Sequence, residues 1–175
     1  KTTAKADPIT GLPKNNLFLA RKNATGKWGK PELLEGEINT PETDDGVCSF
    51  AANGKTIYFT RAQQSDLVDM GTKIYVSSRA GATWSPPQML KIFSDSSISV
   101  AHPAIAPDGQ TLYFVSDKKD GLGGKDIYRA TLEGTDCKYI ENLGPEINTP
   151  GDEMFPVVRA DGTLYFSSNG HPGFG

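Results

Sequence analysis

The chain has 175 residues, a net charge of −3, 22% charged residues and 37% hydrophobic ones, the make-up of a folded domain with a sizeable core rather than of a disordered segment. The small acidic excess speaks against nucleic-acid binding, which shows as a basic surplus, and no apolar run approaches the roughly 18 residues of a membrane span. With 19 glycines and 12 prolines, the chain is rich in turns.

In chain order, "GLPKNNLFLA" at 11–20 carries the first strand signal, Leu17-Phe18, and "WGKPELL" at 28–34 a second, followed by "GEINTP" at 36–41. The hairpin "ANGKTIYFTR" at 52–61 comes next, then Ile74-Tyr75 and "WSPPQML" at 84–90. The same series returns as "APDGQTLYFVSD" at 106–117, Ile127-Tyr128 and "CKYIENL" at 137–143, and "PEINTP" at 145–150 repeats the earlier hexapeptide. A third hairpin, "ADGTLYFSSN" at 160–169, closes the series.

Aligned on Gly54, Gly109 and Gly162, these copies are 55 and 53 residues apart. Each period predicts four short strands, A to D. The Asn-Gly or Asp-Gly pair between A and B predicts a type I′ hairpin. Strand B is apolar at consecutive positions (Ile57-Tyr58-Phe59, Leu112-Tyr113-Phe114, Leu164-Tyr165-Phe166), so it is expected to be buried on both faces. Four-stranded antiparallel sheets repeated at fixed period and packed face to face make an all-β β-propeller. A β-sandwich accounts for the turns but not for the repeat.

The predicted layout is a linker or loop over 1–14, the second half of a blade over 15–41, full blades over 42–96 and 97–150, and the first half of a blade over 151–175. That is about three blade-equivalents, whereas propellers usually have 4 to 8. The expectation is a piece of a larger propeller, its missing blades supplied by further sequence or by another chain.

The stretch "HPAIAPDGQTLYFVSDKKDGLGGKDIYRA" (102–130) resembles the TolB-type, WD-like β-propeller repeat of Gram-negative envelope proteins. "GEINTP", "GLGGKDIY" and "RADGTLYFSSNGHPGFG" are similar to the version carried by OmpA-family lipoproteins of type IX-secreting bacteria. The resemblance implies a non-catalytic periplasmic scaffold, associated with the outer membrane through domains or lipid outside these residues. Its implied partners are envelope proteins, including other secretion-system components. TolB-like propellers also precede the catalytic domain of prolyl-oligopeptidase-type serine peptidases, which is the second reading.

Alternating strand direction places the A–B and C–D turns on one face and the longer B–C and D–A connections on the other. The long loops, read as 62–72, 117–124, 35–46, 91–99 and 144–153, carry thirteen acidic residues against Lys91, Lys118 and Lys119. Loops on a rigid scaffold are where recognition concentrates. The candidate protein-binding face is therefore Asp44, Asp45, Asp117, Asp120, Asp152 and Glu153, suited to cationic protein segments.

Catalytic chemistry finds little footing. "SSRAGATW" at 77–84 is similar to the Asp-box of sialidases, but Arg79 stands at the aspartate position, and the chain's arginines do not share one repeat position. "DKKDGLGG" at 117–124 puts Lys119 where a calcium loop needs an oxygen ligand. His102 aligns with Val47 and Phe155, a strand position with a packing role. No nucleophile elbow or phosphate loop appears, and no cofactor or metal is indicated. Cys48 and Cys137 lack metal-site spacing and are expected to be free, buried thiols.

Overall fold

The computed structural model describes residues 13–65, 68–81 and 83–174. The predicted linker residues 1–12, and Asp66 of the acidic loops, lie outside the described residues. Thirteen strands follow in order, and among the described residues there is no helix. They are β1 (Phe18–Leu19), β2 (Glu32–Leu33), β3 (Thr43–Phe50), β4 (Thr56–Ser65), β5 (Val68–Ala80), β6 (Thr83–Trp84), β7 (Gln88–Met89), β8 (Val100–Ile105), β9 (Thr111–Ser116), β10 (Asp126–Glu133), β11 (Asp136–Asn142), β12 (Glu153–Val158) and β13 (Leu164–Ser168).

All pairings between these strands are antiparallel. β8-β9-β10-β11 form one four-stranded blade, and β3-β4-β5 form another whose outer position is shared by β6 and β7. Pro86 and Pro87 divide that outer strand, since proline has no N–H to offer a ladder. β1-β2 and β12-β13 are half-blades of the C–D and A–B kinds.

Two local expectations are corrected. Residues 62–65 and 68–72 are strand rather than loop. β4 and β5 continue as paired hairpin arms, with Ala62 opposite Thr72 and Gln64 opposite Asp69. No Gly or Pro interrupts 62–70, and its polar composition hid the strand. The A–B turns are not type I′ either, because positive φ occurs at Gly54 (62°), Gly109 (70°) and Gly162 (83°) but not at the preceding Asn or Asp. Each is a type I turn ending in a left-handed glycine, with Gly54 N–H donating to Ala51 O at 2.8 Å and Gly109 N–H to Ala106 O at 2.9 Å. The acidic or amide side chain closes the turn instead: Asp108 Oδ1 accepts from the N–H groups of Gln110 and Thr111, both at 2.8 Å.

The core lies between blades. Ile57, Phe59, Tyr75 and Trp84 pack against Leu34 and Ile38 of the preceding half-blade and its exit loop. Their neighbours Tyr58 and Ile74 point the other way, onto Leu90, Ile105, Leu112, Phe114 and Tyr128. A strand with a neighbouring sheet on each side needs apolar residues at successive positions, which explains the consecutive pattern of strand B. Across the B–C ladder of each full blade, a phenylalanine faces a tyrosine: Phe59 stacks on Tyr75 with ring centroids 6.1 Å apart, and Phe114 on Tyr128 at 5.8 Å.

The repeated motifs are the stitches between these layers. Asn148, buried, accepts from Ile127 N–H at 2.8 Å and donates to Ile127 O at 2.9 Å, so its amide closes the strand edge as another strand would. Asn39 treats Leu17 identically, at 2.7 and 2.9 Å. That is the work of the Asn in both "EINTP" copies. The loop "GLGGKD" then lies flush on the entry to the next blade: Gly124 N–H donates to Gly151 O at 2.9 Å and Glu153 N–H to Lys125 O at 2.7 Å. A Cβ on Gly123 would collide with the carbonyl oxygens of Thr149 and Gly151, so glycine is required there by space. Asp45 N–H donates to Asn15 O at 3.1 Å, the same stitch at the first of the three interfaces.

Candidate functional site

The strand order confirms that the B–C and D–A connections share a face, and the six candidate carboxylates all come from it. They divide by burial. Asp45 and Glu153 are 1% and 0% exposed, so they are removed from the protein-binding set. Their repeat position lies at the start of strand A, where the preceding blade and its exit loop meet it.

Asp45 sits opposite Arg61 across the β3–β4 ladder and receives Arg61 Nε at 2.6 Å and Thr43 Oγ1 at 2.8 Å. The guanidinium also donates to Ile38 O at 2.5 Å and lies over the rings of Phe59 and Tyr75, 5.2 and 5.0 Å from their centroids. This buried pair ties loop, strand and aromatic core together. Glu153 accepts from Thr149 N–H and Oγ1 at 2.8 and 2.7 Å and from Ser168 Oγ at 2.5 Å. Burial raises its pKa, but the donors from Ser168 and Thr149 outweigh that and leave it below the usual glutamate value.

The other four remain accessible while helping to fix their loops. Asp44 and Asp152 are half-buried. Asp44 accepts Asn15 N–H at 3.0 Å, and Asp152 lies 3.3 Å from Lys125 Nζ. Asp117 and Asp120 are exposed. Asp117 caps Ser99 N–H at 2.8 Å, and Asp120 is paired with Lys118, whose hydrogen bond lowers the Asp120 pKa. With Asp95, Ser97, Lys118 and Lys119 they border a shallow concavity of about 350 Å³. The face is thus less acidic at its surface than its composition suggests, and its loops are held by their own carboxylates.

The sequence reading passed over a second surface. Strands β3, β8 and β12 are the inner strand of each blade, and each carries a bulge. The bulged residues Val47, His102 and Phe155 have φ of 27°, 50° and 55°, positions that side-chain-bearing residues rarely occupy. With Cys48, Pro103 and Pro156 beside them, the strands line a concavity of about 310 Å³ whose wall includes exposed Phe50 and Val157. His102 stacks on Phe155 with centroids 4.2 Å apart, and its Nδ1 accepts Phe155 N–H at 3.3 Å. Burial, then the charge of Lys125, lowers the His102 pKa below 6.5. The alignment of Val47 with His102 and Phe155 was the available signal, but a bulge has no composition of its own.

The remaining candidates resolve simply. Cys137 is a buried free thiol as expected, and burial pushes its pKa to about 11. Cys48 is free but exposed on β3, a correction that follows from its place on the inner wall. Arg79, at the Asp-box position, lies over the Trp84 ring at 5.2 Å and does packing work in the β5–β6 hairpin. Among the described residues, no group of three or more His, Cys, Asp or Glu side chains gathers to hold a metal.

No protein-family model and no curated protein sequence matches the chain. Among solved structures, it is similar to a puromycin-hydrolyzing peptidase of Mycobacterium tuberculosis, with a TM-score of 0.52 and 17% identity over 77% of this chain and 20% of that one. A prolyl endopeptidase aligns with a TM-score of 0.46 and 18% identity, over 79% of this chain and 18% of that one. The chain therefore spans about a fifth of the length of the proteins it matches. At such identity the likeness to the first of these speaks for fold alone, and the fold is an all-β propeller.

Proposed function

We propose that this chain is a non-catalytic propeller module of a larger protein, which holds protein partners on its B–C and D–A loop face. The observation that carries the reading is the locking of those loops. Asp44, Asp117 and Asp152 each bond to a neighbouring segment and Asp120 to Lys118 within its own loop, so the accessible carboxylates stand on a rigid frame. Such a surface favours partners that present lysine or arginine. The resemblance of "EINTP" and "GGKDIY" to OmpA-linked envelope repeats supports a place in the periplasm, beside secretion components.

The fold likeness to a peptidase supports a second reading, in which the propeller controls access to a hydrolase domain carried on the same protein. Flanking sequence separates the two: helical repeats and an OmpA-like domain favour the scaffold, and a downstream G-x-S-x-G elbow favours the peptidase.

The binding face itself is tested by reversing Asp117 and Asp120 to lysine, with Asp45 and Glu153 left intact to preserve the fold. Pull-downs from envelope extracts should lose their partners, and binding by the unaltered chain should weaken with salt. Unchanged capture by the folded variant would refute the assignment.

A further inference from the structure

The joint between the two full blades departs from its neighbours in one detail. At the other joints the Asn of "EINTP" closes the edge of strand C, Asn39 on Leu17 and Asn148 on Ile127, accepting the backbone N–H and donating to the carbonyl oxygen. Asn39 donates to Leu34 O as well, at 3.0 Å. Ile74 holds the place of Leu17 in β5, and Leu90 that of Leu34. The loop that follows, "KIFSDSSIS" at 91–99, has no asparagine. Asp95 stands five residues after Leu90, as Asn39 does after Leu34 and Asn148 after Leu143. Its Oδ1 is taken instead by Ser97 N–H and Oγ of its own exposed loop, at 2.9 and 2.7 Å.

Ile74 therefore has only half of the pattern. Its carbonyl oxygen accepts from Leu90 N–H at 2.9 Å. The N–H and C=O of one strand residue lie on the same edge, so the Ile74 N–H also points toward the loop. Ile74 is 0% exposed, and among the described residues no acceptor meets that N–H. A buried donor without a partner is costly and rare. On this side of β5 lies a cavity of about 420 Å³, with Lys73, Leu90, Ile92, Phe93, Ile98 and Val100 in its wall. Lys73 precedes Ile74 and Leu90 lies across from it, which sets the donor beside the cavity. The wall is fixed from both sides. Phe93 meets Phe114 and Tyr128 edge-on with centroids 6.2 and 6.1 Å away, and Lys73 Nζ donates to Ser96 O and Ile98 O at 2.8 and 2.7 Å.

We propose that this cavity binds a ligand carrying a primary carboxamide on an apolar body. The amide oxygen accepts the Ile74 N–H, and the amide NH₂ donates to the carbonyl oxygens of Ile74 and Leu90, as Asn39 does at Leu17 and Leu34. The apolar body lies against Ile92, Phe93, Ile98 and Val100. A carboxylate of the same shape fits badly, because it has no donor and would face two carbonyl oxygens. The volume is that of a small-ligand site, and such sites combine an apolar wall with a few placed polar groups. The carboxamide belongs either to a free compound or to an asparagine side chain of another protein.

Titration of the ¹⁵N-labelled chain, followed by amide chemical shifts, tests this with two probes. One is benzamide and the other is the peptide Ile-Asn-Thr, acetylated and closed by a methylamide. The expected result is a saturable shift of the Ile74 amide, with that of Ile127 unmoved because Asn148 already fills its place. Benzoate and the Ile-Asp-Thr peptide should bind about tenfold more weakly or worse. Tighter binding of the peptide points to a protein segment as the source of the amide, and tighter binding of benzamide to a free compound; either upholds the site. No saturable shift at Ile74 with either probe up to about 10 mM, acids that bind as well as the amides, or an equal shift at Ile127 would overturn the proposal.

Discussion

At the scale of single residues, the carboxylates on the loop face serve two different purposes. Asp45 is buried against Arg61, and a buried pair broken on one side leaves a charge without compensation. Asp45→Ala should therefore cost about 3–5 kcal/mol in urea unfolding, and replacing Arg61 by Met in the same chain should restore much of the loss. A double variant as unstable as the single one would assign the cost to packing instead. His102 provides a pH signature. Its folded pKa lies below 6.5, so the unfolded chain takes up a proton first as pH falls. Its contribution is complete above 6.5 and is lost as pH drops through the folded value. His102→Phe keeps the ring over Phe155, and its melting temperature should vary less than that of the parent between about pH 7 and pH 5. Equal slopes for the two proteins would contradict the assignment.

At the scale of elements, much was legible in the sequence because hairpin chemistry is local. The Asn-Gly and Asp-Gly steps mark the A–B turns, and the consecutive apolar residues of strand B mark a sheet covered on both sides. What could not be read was whatever depends on the next blade. Asp45 and Asp44 are neighbours of the same charge, yet only the packing of Arg61 over the aromatic core decides which of them is buried. The bulges at Val47, His102 and Phe155 look like ordinary strand residues, and the extended arms of β4 and β5 look like a polar loop. "EINTP" and "GGKD" stood out as motifs, but their meaning is contact across an interface. Asn148→Ala leaves Ile127 N–H without its acceptor, while Ile127 O keeps the Leu143 N–H, and should cost about 2 kcal/mol. Gly123→Ala should also destabilise the chain, because backbone carbonyls rather than flexible side chains occupy the space. Chemical denaturation of the two variants checks both, and a loss below about 1 kcal/mol in either would remove that motif from the joint.

At the scale of the whole molecule, the account describes blades that are stable because neighbours cover both of their faces and because loop-to-strand bonds fasten each to the next. Among the described residues β1 and β13 each pair with a single strand, and Phe18 and Tyr165 are exposed where the full blades bury their equivalents or pair them. Native-state hydrogen exchange tests this most directly, since it reports opening residue by residue. The stitching amides of Asp45, Gly124, Ile127 and Glu153 should exchange with the slowest class, together with Phe59 and Phe114 in the strand centres. Fast exchange at those four, with the strand centres still protected, would show blades that hold independently and would contradict the account.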